Sequence, residues 1–157
     1  MENHQVFNIS DIMLQDIVVT HAAIDNEKGL SSLPEGYSVS YTFGFEASIS
    51  TDNKTLRVVF HCSAEAFTKD KKDSFGVKAT FAIIYNFLVL QNVESMVRDL
   101  GDDQIEFNSD VLLSLANIAY STSRGIIFTR CQGTILKKGI LPILPTDQLR
   151  SLILASE

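Results

Sequence analysis

Residues 38–49 read Ser38-Val39-Ser40-Tyr41-Thr42-Phe43-Gly44-Phe45-Glu46-Ala47-Ser48-Ile49. Val39, Tyr41, Phe43, Phe45, Ala47 and Ile49 fall on one side of an extended chain, and Ser38, Ser40, Thr42, Glu46 and Ser48 on the other. That pattern is a strand with one face in a core. The period of two repeats downstream, where Leu56, Val58, Phe60, Cys62, Ala64 and Ala66 alternate with Arg57, Val59, His61, Ser63 and Glu65. Asp52-Asn53 supplies a tight turn between the two strands. Past a charged loop, Lys69-Asp70-Lys71-Lys72-Asp73, a further strand from Phe75 to about Leu90 sets Val77, Ala79, Phe81, Ile83, Tyr85, Phe87 and Val89 against Gly76, Lys78, Thr80 and Asn86. Its far end, with Ile84, Leu88 and Leu90, is apolar on both sides and needs cover twice.

Upstream, an imperfect alternation from about Val6 to Thr20 predicts a first strand, with Asp16-Ile17-Val18-Val19 at an edge or a change of face. Gly29, Pro34 and Gly36 break the stretch from Asp25 to Gly36. Downstream the period changes. Residues from Asn92 to Asp103 suit a short helix or a loop. Asn108 or Ser109 then caps a long helix, with Asp110 in its first turn and Arg124 and Arg130 toward its end. Its apolar stripe is Val111, Leu112, Leu115, Ile118, Ala119, Thr122 and Ile126, and Gly133 ends it. Thr146 caps a short last helix. The expected fold is α+β: one domain over 1–157, with a four-stranded antiparallel sheet in 1–91 covered on one face by a long C-terminal helix plus a short final helix in 108–154.

The chain has 157 residues, 45% hydrophobic and 20% charged, enough for a core and against wholesale disorder. Thirteen Lys+Arg against nineteen Asp+Glu give −6 and a pI near 5.0, which disfavours a nucleic-acid partner. No uninterrupted apolar run approaches the ~20 residues of a membrane span, so no membrane insertion is expected. The polar start, Met1-Glu2-Asn3-His4-Gln5, is unlike a signal peptide, and a cytoplasmic protein with reduced Cys62 and Cys131 is expected.

Catalytic patterns are missing: there is no G-x-S-x-G elbow, no phosphate-cradling glycine loop and no H-E-x-x-H. Asp102, Asp103 and Glu106 read as a solvated acidic turn rather than a cation site, because the EF-loop spacing is absent. His61 reads as a polar-face residue beside Glu65, and Ser123 with Arg124 as a helix-surface pair, since no His is placed to activate the serine. The expectation is no enzyme, no catalytic residue, no metal and no cofactor.

The unusual feature is oily. Thr134 to Pro145 is a loop by its Gly139, Pro142 and Pro145, yet it holds Ile135, Leu136, Ile140, Leu141, Ile143 and Leu144 and no acid. Loops normally cross a surface and are polar. About half of those side chains are expected to close the core; the rest wall an apolar groove or a subunit interface. Phe67, Phe107 and Phe128 stand at element ends, where groove walls are built. The groove candidates are thus Phe67, Phe128, Ile135, Leu136, Ile140, Leu141, Ile143 and Leu144. If Leu141 faces a groove, Leu141→Asp weakens binding and spares folding. Gly125, inside the helix, allows another backbone to approach, either its own sheet or a second subunit.

This order of elements resembles the SecB family of protein-export chaperones. The resemblance is carried by the stretch from Leu100-Gly101 to Leu149, with Ser123-Arg124-Gly125 in the long helix, Ile140-Leu141-Pro142 and Pro145 in the loop, and Asp147 and Leu149 in the last helix. Asp16-Ile17-Val18 resembles the family's short Asp-hydrophobic segment in its first strand. The resemblance implies a homotetramer, a dimer of dimers joined through first strands and long helices. It also implies a holdase that binds unfolded polypeptide in long apolar grooves without ATP, metal or covalent chemistry. The longer link from Ile126 to Gly139, with Arg130, Lys137 and Lys138, resembles the divergent SecB-like chaperones that accompany toxin–antitoxin pairs or that sit on phages and mobile elements. The clients implied are preproteins or an antitoxin. The family's zinc-binding tail that docks on SecA has no counterpart here, which puts a role in protein transport through SecA in doubt. The alternative is a small hydrophobic-ligand carrier with a pocket between sheet and long helix.

Overall fold

The computed structural model describes residues 7–154 except 51, 53, 102, 103, 139 and 140. Asn53 of the expected turn, Asp102 and Asp103 of the acidic turn, and the groove candidate Ile140 lie outside the described residues.

Four strands form the main sheet: β1 (Ile12–Asn26), β2 (Ser38–Ile49), β3 (Thr55–Phe67) and β4 (Ser74–Val89). They pair antiparallel in the order β1-β4-β3-β2. The expected first strand begins later and runs further. A 3-10 turn at Ile9–Asp11 precedes it, capped by the Asn8 side chain, which accepts from the Ser10 amide at 3.0 Å. Asp11 is buried in this turn, and its carboxylate accepts from Gln91 Nε2 at 2.7 Å and Asn92 Nδ2 at 3.0 Å. Those bonds, that from Asn92 foremost, hold its pKa below the usual value despite desolvation. Register shifts between Leu14 and Asp16 and between Val19 and His21 explain the broken alternation of β1, since each extra residue flips the following side chains.

Where a short helix or a loop is expected, the described residues 92–101 hold one short 3-10 turn and a strand. A 3-10 turn at Val93–Ser95 leads into a hairpin of β5 (Val97–Gly101) and β6 (Gln104–Phe107). Gly101, at φ +82°, occupies a conformation open to glycine. The hairpin returns to its start, where the Asn108 amide donates to Met96 O at 2.8 Å and Asn108 Nδ2 to Ser95 O at 3.1 Å.

α1 (Ser109–Cys131) starts at Asn108, whose side chain accepts from the Asp110 amide. It packs across β3 and β4. Beneath it Leu56, Phe60, Ala66, Val77, Ala79, Ile83 and Tyr85 are fully enclosed, each large side chain contributing about 1.5–3 kcal/mol. The buried stripe of α1 is Val111, Leu113, Leu115, Ala116, Ala119, Tyr120, Ser123, Ile127 and Cys131. It is rotated from the expected one, leaving Leu112, Ile118, Thr122 and Ile126 half-exposed. The cause is polar: Ser123, fully buried rather than on the surface, shares a hydrogen bond with Tyr85 (Oη···Oγ 2.6 Å) and so fixes which side faces the sheet. α1 is long and apolar enough to cross a membrane by length and composition, but it serves as the core helix of this sheet. α2 (Thr146–Leu154) closes one end, with Leu149 against Leu113 and Ala116.

Candidate functional site: a half-open apolar face along β2

α1 lies over β3 and β4, so β2 has less cover. Its inward side chains Val39, Tyr41, Phe43, Phe45 and Ile49 are only half-buried, although they pack against the same core. Phe43 and Phe45 are held by ring contacts. Phe43 lies 5.3 Å from Tyr120 and Phe45 5.2 Å from Phe60, centroid to centroid. Desolvation pushes the Tyr41 and Tyr120 hydroxyls up to about 12.

Two cavities mark the ends of this face. One, of about 700 Å³, lies between residues 31–37 and 133–138, with Leu33, Tyr37 and Ile135 as its apolar part. The other, of about 350 Å³, is lined by Phe45, Ala47, Val58, Phe107, Leu112, Ala116 and Ile153. From Tyr37 to Phe45 the strand spans about 26 Å. The face is therefore long and narrow, the shape of an extended chain.

The loop between the helices splits in two. Leu136 and Leu141 are each 1% exposed and sit in the core. Both are groove candidates by sequence; in the chain they plug the core beside the end of α1. Leu141→Asp is therefore expected to cost folding. Ile143, 79% exposed, faces out, Ile135 lines the larger cavity, and Leu144 is half-buried between two core clusters. Phe128 is exposed on α1 and Phe67 half-buried at the end of β3, and neither lines these two cavities. The loop is pinned from α1: Tyr120 Oη donates to Pro142 O at 2.8 Å and Arg124 Nε to Leu141 O at 3.0 Å. Ser123-Arg124-Gly125 thus has three jobs. Ser123 fixes the helix on the sheet and Arg124 holds the loop. Gly125 faces open space in a shallow hollow of about 480 Å³ with Val19, Thr122, Ile126 and Thr129. Pro145 O accepts from the Leu149 amide at 3.1 Å in the first turn of α2.

On the opposite sheet face Val59, Ile84 and Leu88 are half-buried, so the far end of β4, expected to be covered on both sides, is left partly open there, without the aromatic rings of the β2 face. His61 meets Glu46 on β2 (3.3 Å) rather than Glu65, which accepts from Ser74 Oγ at 2.5 Å. His21 bonds Thr80 at 2.8 Å. Among the described residues no cluster of three His, Cys, Asp or Glu could hold a metal, and Glu106 is exposed on β6. Burial pushes the Cys62 thiol up to about 12, far from a nucleophilic thiolate.

No family model matches the sequence, and no curated protein matches it. Solved structures do. The chain superposes on the Mycobacterium tuberculosis Rv1957 SecB-like chaperone, solved in complex with a ChAD peptide from the Rv1956 HigA1 antitoxin, with a TM-score of 0.57. The match covers 87% of this chain and 92% of that one at 15% identity. The fold is SecB-like. A protein of unknown function from Streptococcus agalactiae aligns over 85% of this chain and 96% of its own at 11% identity, with a TM-score of 0.38, too low to carry an argument. In this SecB-like chain, Leu33, Tyr37, Phe45, Leu112 and Ile153 are cavity residues that the sequence reading did not single out. They come from four stretches of the chain, Leu33 and Tyr37 sharing one, and the fold distributes them over the two cavities. Two residues singled out by sequence do lie on cavity walls, Ile135 of the oily loop and Phe107 at an element end.

Proposed function

We propose that this SecB-like protein is an ATP-independent holdase that binds unfolded polypeptide along the β2 face. The observation that carries the reading is that face: aromatic, half-exposed, about 26 Å long and ended by two cavities. An extended client would bury apolar side chains there and add main-chain hydrogen bonds at the free edge of β2. Within this proposal Ile135, Ile143 and Leu144 serve as groove residues, with Phe43 and Phe45. The client class is an export preprotein or an antitoxin segment, in a cytoplasmic setting, and an antitoxin peptide on a structural neighbour supports the second. No reaction is proposed.

The reading includes a dimer of dimers. Two surfaces support it. β1 is an open edge with exposed Met13, Leu14 and Val18. The hollow beside Gly125 leaves Thr122 and Ile126 uncovered next to Val19. A small-ligand carrier fits less well, because the apolar surface forms a long open strip.

The test mixes the protein with a slow-folding client and follows client aggregation, with mass from light scattering. Suppressed aggregation by a tetramer is the expected result. A monomer without effect on the client overturns the reading.

A further inference from the structure

We propose that the cavity between residues 31–37 and 133–138 selects client segments in which an acidic residue flanks an apolar anchor. This rests on the peptide-holding reading above. The chain carries −6 overall, yet this cavity has Lys137 and Lys138 in its wall against Glu35 alone. Lys69 lies close by without lining the cavity, its Cδ 3.7 Å from where a Cβ on Gly36 would stand, with Asp70 next to it in sequence. Among the described residues the ion pairs are His61–Glu46, Lys72–Asp70 and Arg150–Asp110, and none takes Lys69, Lys137 or Lys138.

Lysines just past a helix often bond its last carbonyls. Here other groups do so. Gln132 Nε2 donates to Phe128 O and the Gln132 amide to Thr129 O, each at 3.3 Å. Thr134 donates to Cys131 O from its amide at 3.1 Å and from its hydroxyl at 2.7 Å. Lys137 and Lys138 are exposed and line the same cavity as the apolar Leu33, Tyr37 and Ile135, beside Ser31, Ser32 and Thr134. An oily side chain next to a carboxylate complements that arrangement. The net negative charge of the chain works against an acidic client only at long range. At 0.15 M salt the Debye length is about 8 Å, so remote acids are screened while a contact pair at about 4 Å keeps much of its attraction.

The test uses three fluorescent peptides with one shared apolar core and Asp/Glu, Ser or Lys flanks, with affinity read by anisotropy at 0.15 M salt. The acidic version is expected to bind about fivefold tighter than the Ser version, and the difference to vanish near 1 M salt. In the K137E/K138E variant the preference should reverse toward the Lys-flanked peptide, a gain that misfolding cannot imitate. Equal affinity for all three, or an unchanged order in the variant, overturns this inference and leaves peptide holding intact. If no peptide binds, the holdase reading falls and takes the inference with it.

Discussion

On β3, Leu56, Phe60 and Ala66 are fully enclosed; across the ladder on β2, their partners Ile49, Phe45 and Val39 remain half-exposed. The two strands carry the same alternation and pair in unbroken register from Ser38↔Phe67 to Ile49↔Leu56. What differs is the cover. α1 runs over β3 and β4 and stops short of sealing β2. Alternation decides which side of a strand faces inward; the position of the covering helix decides how far that side is hidden. A strand patterned for a core and left half-covered is apolar surface available to another chain. The same division runs through the loop after α1, where Leu136 and Leu141 are sealed while Ile135 and Ile143 are not.

The sharpest way to break the comparison is to damage the sealed half. Leu141→Asp places a charge where a 1%-exposed leucine sat and should cost at least about 4 kcal/mol, enough to unfold much of the population. Urea melts check it, and a wild-type midpoint would show that Leu141 is not core. Next is the bond that orients α1. Ser123→Ala leaves the buried Tyr85 hydroxyl unpaired and should cost about 1–3 kcal/mol, whereas adding Tyr85→Phe should recover most of the loss in a double-mutant cycle. Alkaline pH probes the boundary between the halves. Tyr41 and Tyr120 ionise at about 12 in the fold against about 10 when unfolded. Their stabilisation is complete below pH 10 and is lost as pH rises toward 12, so the melting temperature should fall across that window and be flat from pH 7 to 9 on their account. The smallest stability effect belongs to the open half. Ile143→Ser, at a 79%-exposed position, should stay within about 0.5 kcal/mol of wild type while weakening peptide binding.

Much of the fold is legible in the sequence because β2, β3 and β4 keep strict period two and α1 has a clear Asn108 cap. β1 is blurred by two register shifts, and its start is set by Asp11 bonding to Gln91 and Asn92, eighty residues away. The β5–β6 hairpin is missed because its strands are short and mostly exposed, so no alternation marks them. The helix stripe is misphased because α1 is apolar nearly all round, and the deciding contact, Ser123 with Tyr85, is between polar groups. At the site, composition flags the oily loop but cannot sort Leu136 from Ile135. That difference is set by where the chain turns after Gly133, at φ +75°, and by the hold of Arg124 on Leu141.

The central claim is that a client lies along β2. Backbone amide and methyl NMR shifts on adding an apolar client peptide test it most directly. The account predicts changes at Val39, Tyr41, Phe43 and Phe45 and at Ile135 and Ile143, with β3 and β4 interiors such as Ala79 and Ile83 unmoved. Changes confined to the opposite sheet face, around Val59, His61 and Ile84, would contradict it.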